Sequence, residues 1–330
     1  MRLRRAFVLA FQSIVFWMIA FFLYVFIKYN GLEEELKVYT DDTLYLPVVD
    51  FFQYGLILGL VIGVFYAIIE FLFDSYLSKK LILGISIIVK SIIYFVLFVI
   101  VLSVFSFFIE EQIDIDLPNE IGWWHQDPFF WNTILYFVVS SVIFSLLRIA
   151  NDKFGPGILL KFLAGNYHHP KKELRIFMFL DMRSSTTIAE KIGNEKYFNL
   201  LNDIFSDITN TILNNEGEIY QYVGDEIVIS WSIKKGIRKA NCLRCFTELQ
   251  EKLNELKPLY ENKYSVAPQF KAGVHYGEVM AGEVGVIKKD IIYSGDVLNT
   301  TSRIQEKCNE FNVDILISKE TLDLIPDAGE

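Results

Sequence analysis

Four apolar runs, at about residues 6–27, 46–69, 81–108 and 129–147, dominate the first half of this 330-residue chain. Each covers the roughly 20 residues that a helix needs to cross the hydrocarbon core of a bilayer. Nothing in that core can satisfy bare backbone N–H and C=O groups, so such a segment crosses as a helix. Charge divides the chain in the same way. Residues 1–150 carry 9 basic and 14 acidic side chains, and residues 151–330 carry 22 and 26. We therefore expect a lipid-embedded domain at 1–150, a coupling segment at 151–172 and a water-facing domain at 173–330. The net charge of −9 argues against a nucleic-acid partner, which needs a basic face. Cys242, Cys245 and Cys308 all lie in the polar half, so no disulfide framework is expected.

The start Met1-Arg2-Leu3-Arg4-Arg5 resembles that of a signal peptide, but the apolar stretch behind it is too long. Tyr29-Asn30-Gly31 offers no small-residue cleavage site, so the run reads as a retained anchor. Basic residues mark three flanks: Arg2, Arg4 and Arg5; Lys79 and Lys80; and Arg148, Lys153 and Lys161. The other two loops are acidic, with Glu33–Glu35, Asp41 and Asp42 in one and Glu110, Glu111, Asp114, Asp116 and Glu120 in the other. The positive-inside rule then puts both termini in the cytoplasm of a multi-pass plasma (inner) membrane protein. Trp123, Trp124, Trp131 and Tyr136 read as an interfacial aromatic belt, and His125 as a loop residue. Gly55, Gly59 and Gly63 recur every fourth residue, which lets another helix approach closely, either within the bundle or from a second protomer. Lys90 lies deep in the third run, and Glu70 is its expected partner in a structural ion pair.

In the coupling segment, Gly155-Pro156-Gly157 breaks the chain and Ile158–Leu163 suggests a short apolar helix. His168 and His169 have no Cys or carboxylate close by and read as a solvated linker. Beyond it the pattern mixes strands and helices. Strands are expected at Leu174–Leu180, Glu218–Val223, Ile227–Trp231, Phe270–His275, Glu278–Glu283 and Val313–Ser318. Helices are expected at Thr186–Ile192, Glu195–Leu213, Gly236–Leu256 and Asp296–Cys308. That order suits an α+β domain with helices on a mostly antiparallel sheet.

Chemistry concentrates in three places. Asp181 ends the first strand, and Asp225 sits in the hairpin turn Gly224-Asp225. Two carboxylates at neighbouring strand ends make a site for hard divalent cations. Between Asp181 and the next helix runs Met182-Arg183-Ser184-Ser185-Thr186, whose free N–H groups at a helix N-terminus suit a phosphate. Together these point to phosphoryl or nucleotidyl transfer. Asn299 and Arg303, four residues apart, project from one helix face, where an Arg can hold a phosphate. Taken singly, each has a plainer reading as turn former, N-cap or solvated polar face.

In order, Phe179–Thr186, Val223–Trp231, Lys271–Gly285 and Gly295–Arg303 resemble the signature blocks of class III adenylate/guanylate cyclases, here of a four-span membrane-anchored bacterial type. The resemblance runs from Leu174 to Ser318. It implies a ferredoxin-like catalytic fold in a head-to-tail homodimer with active sites at the interface. It implies that Asp181 and Asp225, helped by the Met182 carbonyl, hold two Mg²⁺ or Mn²⁺ ions. Asn299 and Arg303 would come from the other protomer, Asn299 orienting the ribose and Arg303 stabilising the charged transition state. The product would be 3′,5′-cyclic AMP with pyrophosphate.

The chain departs from the family at two base-reading positions. Adenylate cyclases commonly carry Lys four residues before the second metal Asp, and Asp or Thr seven before the Asn. Guanylate cyclases carry Glu and Cys there. Here the residues are Gln221 and Ile292, so ATP and GTP both stay open as substrate. The family domain also continues into a final strand pair beyond this chain's end, as a truncation or a compact variant would show. Two other readings are a diguanylate cyclase, suggested by Val223-Gly224-Asp225-Glu226-Ile227, and a degenerate domain that binds nucleotide without catalysis. Glu226 reads as a surface residue, His275 as a structural residue in a strand turn, and Cys242-x-x-Cys245, on a helix with no second pair, as neither a metal nor a redox site.

Overall fold

The structure is a computed structural model that describes residues 2–31, 48–76, 83–113, 128–154, 165, 167, 169–286 and 289–325. The coupling helix expected at 158–163, Trp123, Trp124, His125, Lys79, Lys80 and Lys161 lie outside the described residues. The chain divides into two compact units, 1–154 and 155–330.

The first unit is four helices: α1 (Arg2–Gly31), α2 (Val48–Tyr76), α3 (Leu83–Ile113) and α4 (Pro128–Phe154). All four are long and apolar enough to cross a membrane. Their outer surfaces keep large apolar side chains such as Phe11, Ile68, Ile92 and Leu135 exposed, as a lipid-facing surface requires. Trp17, Phe21, Ile62, Tyr66, Tyr94, Phe98 and Phe137 fill the middle. The glycine stripe packs within the bundle. A Cβ at Gly59 would lie 2.8 Å from the Trp17 carbonyl, and one at Gly63 2.6 Å from the Ile14 Cα. The backbones of α1 and α2 therefore touch along that line, which only glycine permits. Glu70, 1% exposed, accepts the Lys90 ammonium at 2.7 Å and the Tyr94 hydroxyl on its other oxygen. The expected pair is formed, and Lys90 also lies over the Phe73 ring. Tyr136 is half-buried and its hydroxyl donates to the Ala20 carbonyl at 2.7 Å.

The second unit is α+β. Its elements are β1 (Lys171–Met182), α5 (Ser185–Ile192), α6 (Asn194–Asn214), β2 (Glu218–Val223), β3 (Glu226–Ser232), α7 (Ile233–Ile237), α8 (Asn241–Tyr264), β4 (Phe270–Val284), β5 (Asp290–Ser294), α9 (Asp296–Phe311), β6 (Ile315–Ile317) and α10 (Lys319–Leu322). The sheet order is β2-β3-β1-β4-β5, all antiparallel, with β6 parallel to β4. The first four strands thus have the ferredoxin-like order. Alternate residues of β1 feed opposite faces. Ile176, Met178 and Leu180 meet α6 and α8 through Ile204, Ile208, Ile212 and Leu249. Phe177 and Phe179 meet Val228, Val279, Tyr293 and Val297 on the other face. The helical spacing of Tyr197, Leu201, Ile204, Ile208 and Ile212 predicts one apolar face on α6; the last four are buried there, Tyr197 is partly buried, and Leu200 and Thr211 join them.

Three local expectations are corrected. The helix expected at Gly236–Leu256 is broken: Lys239 and Ala240 take left-handed backbone conformations, and α8 runs from Asn241 to Tyr264. The two strands expected around Tyr276-Gly277 are one, because β1 pairs with β4 without interruption from Lys171↔Ala281 to Met182↔Phe270. His275 therefore lies mid-strand, and its Nδ1 is 2.7 Å from the Ser318 hydroxyl, a structural contact. Strand β5 was not foreseen in the sequence.

Candidate active site

Three neighbouring elements bring the acidic groups together. Asp181 lies one residue from the end of β1, and Asp225 occupies the β2–β3 turn, where Gly224 supplies a positive φ of 63°. Because β3 pairs directly with β1, through Leu180↔Ile227, the turn falls beside the end of β1. The two carboxylates lie close enough for the charge of each to act on the other. Burial pushes the Asp225 carboxyl above its usual range and the Asp181 charge adds to this, while a Ser185 hydrogen bond opposes it. The Asp225 Oδ2 atom is buried with no hydrogen-bond partner among the described residues.

Asp181 has two polar neighbours that sequence reasoning missed. The Lys271 ammonium, on the facing residue of β4, is 3.3 Å from Oδ2, and the Gln305 amide of α9 donates to the same oxygen at 3.0 Å. Both residues are nearly buried. The opening Lys of the block 271–285 was a sequence signal, but its register with Asp181 was not. Glu226 is also corrected: it is half-buried, not a surface residue. Burial, then the charges of Asp181 and Asp225, push its carboxyl up to about 7.

A pair of facing carboxylates, one with an orphaned buried oxygen, is short of positive charge. Oxygen donors of this kind fit a hard divalent cation. Met182 follows directly and is buried. Among the described residues no group of three or more His, Cys, Asp or Glu side chains is placed to hold a metal ion. In the loop behind, Ser184 adopts a left-handed conformation at the N-cap position of α5 without a side-chain cap bond, and Ser185 lies near enough to Asp225 to favour its ionised form. Thr186 is in the first turn. The Arg183 guanidinium points away, donating to the Val313 carbonyl at 2.6 Å and to Asp314 at 2.9 Å.

Helix α9 has two faces. Val297, Thr301, Gln305 and Cys308 are buried against the sheet, while Asn299 and Arg303 are exposed. Gln305 and Arg303 are two residues apart, about 200° around the helix. The face that holds Asp181 is therefore not the face that carries Asn299 and Arg303. Gln221 and Ile292 are exposed on β2 and β5, the two edges of the sheet. The sheet curls enough for those edges to meet, since the Tyr293 N–H bonds the Tyr220 hydroxyl at 3.2 Å and the two rings lie 4.9 Å apart. Each candidate base-reading residue is the chain neighbour of one of these tyrosines. The Cys242 and Cys245 thiols are free and buried, which raises both, as expected of core residues.

Residues 167–328 match the family of adenylate and guanylate cyclase catalytic domains. This region of the chain belongs to that family. Adenylate cyclase 2 of Rhizobium meliloti (strain 1021) is 33% identical over 193 residues, 58% of this chain and 53% of that protein. Adenylate cyclase 1 of the same organism is 26% identical over 147 residues, 43% of this chain and 22% of that protein. The chain thus spans about half the length, or less, of these relatives. A bacterial light-regulated adenylyl cyclase structure shares the fold, with TM-score 0.51 and 21% identity over 58% of each chain. The cyclase-type domain follows four helices of membrane-spanning character.

Proposed function

We propose that this chain is a membrane-anchored class III adenylate cyclase that converts ATP to 3′,5′-cyclic AMP and pyrophosphate in a head-to-tail homodimer. The observation that carries the reading is the Asp181–Asp225 pair with its orphaned buried oxygen, set in a domain of this family. Asp181, Asp225 and the Met182 carbonyl would hold two Mg²⁺ or Mn²⁺ ions. Those ions would neutralise phosphate charge and favour ionisation of the ribose 3′-hydroxyl. The N–H groups of Ser184, Ser185 and Thr186 at the start of α5 would bind phosphate oxygens. Arg183 is engaged with Val313 and Asp314, which leaves this task to the loop backbone.

The exposed pair on α9 acts on the partner's site. Asn299 holds the ribose so that its 3′-oxygen faces the α-phosphorus, and Arg303 meets the negative charge that grows there during in-line displacement. The opposed faces of α9 support this division. Gln221 reads the base with an amide that can donate or accept, and Ile292 offers shape only. ATP is the preferred substrate by a modest margin, with GTP accepted. Both termini and the catalytic domain are cytoplasmic, as the basic flanks of the spans require. The test is the full chain in detergent or lipid, incubated with ATP or GTP and with Mg²⁺ or Mn²⁺, the product identified by mass. Cyclic AMP is the expected main product. Binding of nucleotide without turnover would favour the degenerate reading, and a dinucleotide product from GTP the diguanylate one.

A further inference from the structure

We propose that Gln305 is a positioning residue that fixes the metal-holding carboxylate of Asp181. The proposal rests on the reading of Asp181 and Asp225 as a divalent-cation site. Gln305 is 3% exposed, and its Nε2 donates to Asp181 Oδ2 at 3.0 Å. The Lys271 ammonium meets the same oxygen at 3.3 Å. Both donors therefore engage one carboxylate oxygen and leave the other for the cation. A carboxylate on a short side chain is otherwise free to turn about its terminal bond. Carboxylates that bind metals are usually held by such outer hydrogen bonds.

The anchor behind Gln305 is rigid. A Cβ at Gly273 would lie 2.7 Å from the Gln305 Cα, so α9 touches the β4 backbone at that residue. Thr301, one turn earlier on the same face, is fully buried and donates to the Val297 carbonyl at 2.6 Å. Gln305 thus reaches Asp181 from backbone that cannot shift without lifting α9 from the sheet. The same helix presents Asn299 and Arg303 on its opposite face. One helix then sets the carboxylate geometry of its own protomer's site while carrying the transition-state pair for the partner's site.

The test uses the full chain in detergent micelles and follows free Mn²⁺ by electron paramagnetic resonance, without nucleotide. Gln305→Met keeps the length and removes the donor. It should weaken Mn²⁺ binding by about 10-fold. Gln305→Asn keeps an amide that falls one methylene short, and should weaken binding in the same direction. Asp181→Asn supplies the reference, and in that background Gln305→Met should have no further effect. Thermal melting confirms that each variant is folded. Mn²⁺ binding that Asp181→Asn weakens and both folded Gln305 variants leave unchanged overturns this proposal alone. Mn²⁺ binding that Asp181→Asn does not affect overturns the cation site itself, and this proposal with it.

Discussion

At Glu226 the local electrostatics give a pH signature. Burial and the charges of Asp181 and Asp225 push its carboxyl up to about 7. An acid whose folded value exceeds its unfolded one costs stability as it ionises. The cost is absent below the unfolded value and grows as pH rises toward 7. Glu226→Gln should therefore raise the melting temperature of the cation-free protein at pH 8 and have little effect near pH 4. Equal melting shifts at both pH values would refute this. Asp225→Asn removes a carboxyl that is also held high, so it should not destabilise the fold. It should lower turnover by on the order of 100-fold, because the proposed cation site would lose one of its two carboxylates. Substantial activity in this variant at saturating Mg²⁺ would contradict the cation assignment. Asp181 and Asp225 were legible because strand-end and hairpin-turn positions are local patterns. Lys271 and Gln305 were not, because their role depends on the register of β1 with β4 and on the seat of α9, both set by residues far apart in sequence.

Elements with one buried face were the most readable. The 3.6-residue spacing of Leu201, Ile204, Ile208 and Ile212 specified α6, whereas β1, buried on both faces, was marked by its short continuous apolar run and not by alternation. The break between α7 and α8 was not readable, because Lys239 and Ala240 give no sequence sign of a left-handed conformation. Strand β5 was missed because its short run Asp290–Ser294 is stabilised by pairing with the far end of β4. The glycine stripe of α2 was readable as a close-approach face but not as to its partner, which is α1. Gly63→Val should force α1 and α2 apart, at roughly 1–3 kcal/mol. Gly84→Val, where a Cβ meets nothing within 4 Å, is the control. Thermal unfolding in detergent should separate the two; equal melting would mean that the stripe does not carry the packing.

At the scale of the whole molecule, two compact units share one chain, the first made of helices apolar enough to cross a membrane and the second more densely charged. The proposed base-reading residues also belong to this scale, because Gln221 and Ile292 lie on two opposite sheet edges that meet through Tyr220 and Tyr293. On the proposed reading, with one adaptable amide at Gln221 and an apolar wall at Ile292, the wrong base would leave few polar groups unpaired, so small discrimination is expected. Gln221→Lys combined with Ile292→Asp should sharpen ATP preference by about 10-fold. If the unmodified protein already rejects GTP by orders of magnitude, base reading lies elsewhere. The central claim is that each active site takes its carboxylates from one protomer and Asn299 and Arg303 from the other. Mixing Asp181→Asn protomers with Arg303→Ala protomers tests it directly. Each variant alone should be inactive, and each heterodimer should contain one intact composite site and regain cyclic AMP synthesis. Confirmed heterodimers that make no cyclic AMP would contradict the account.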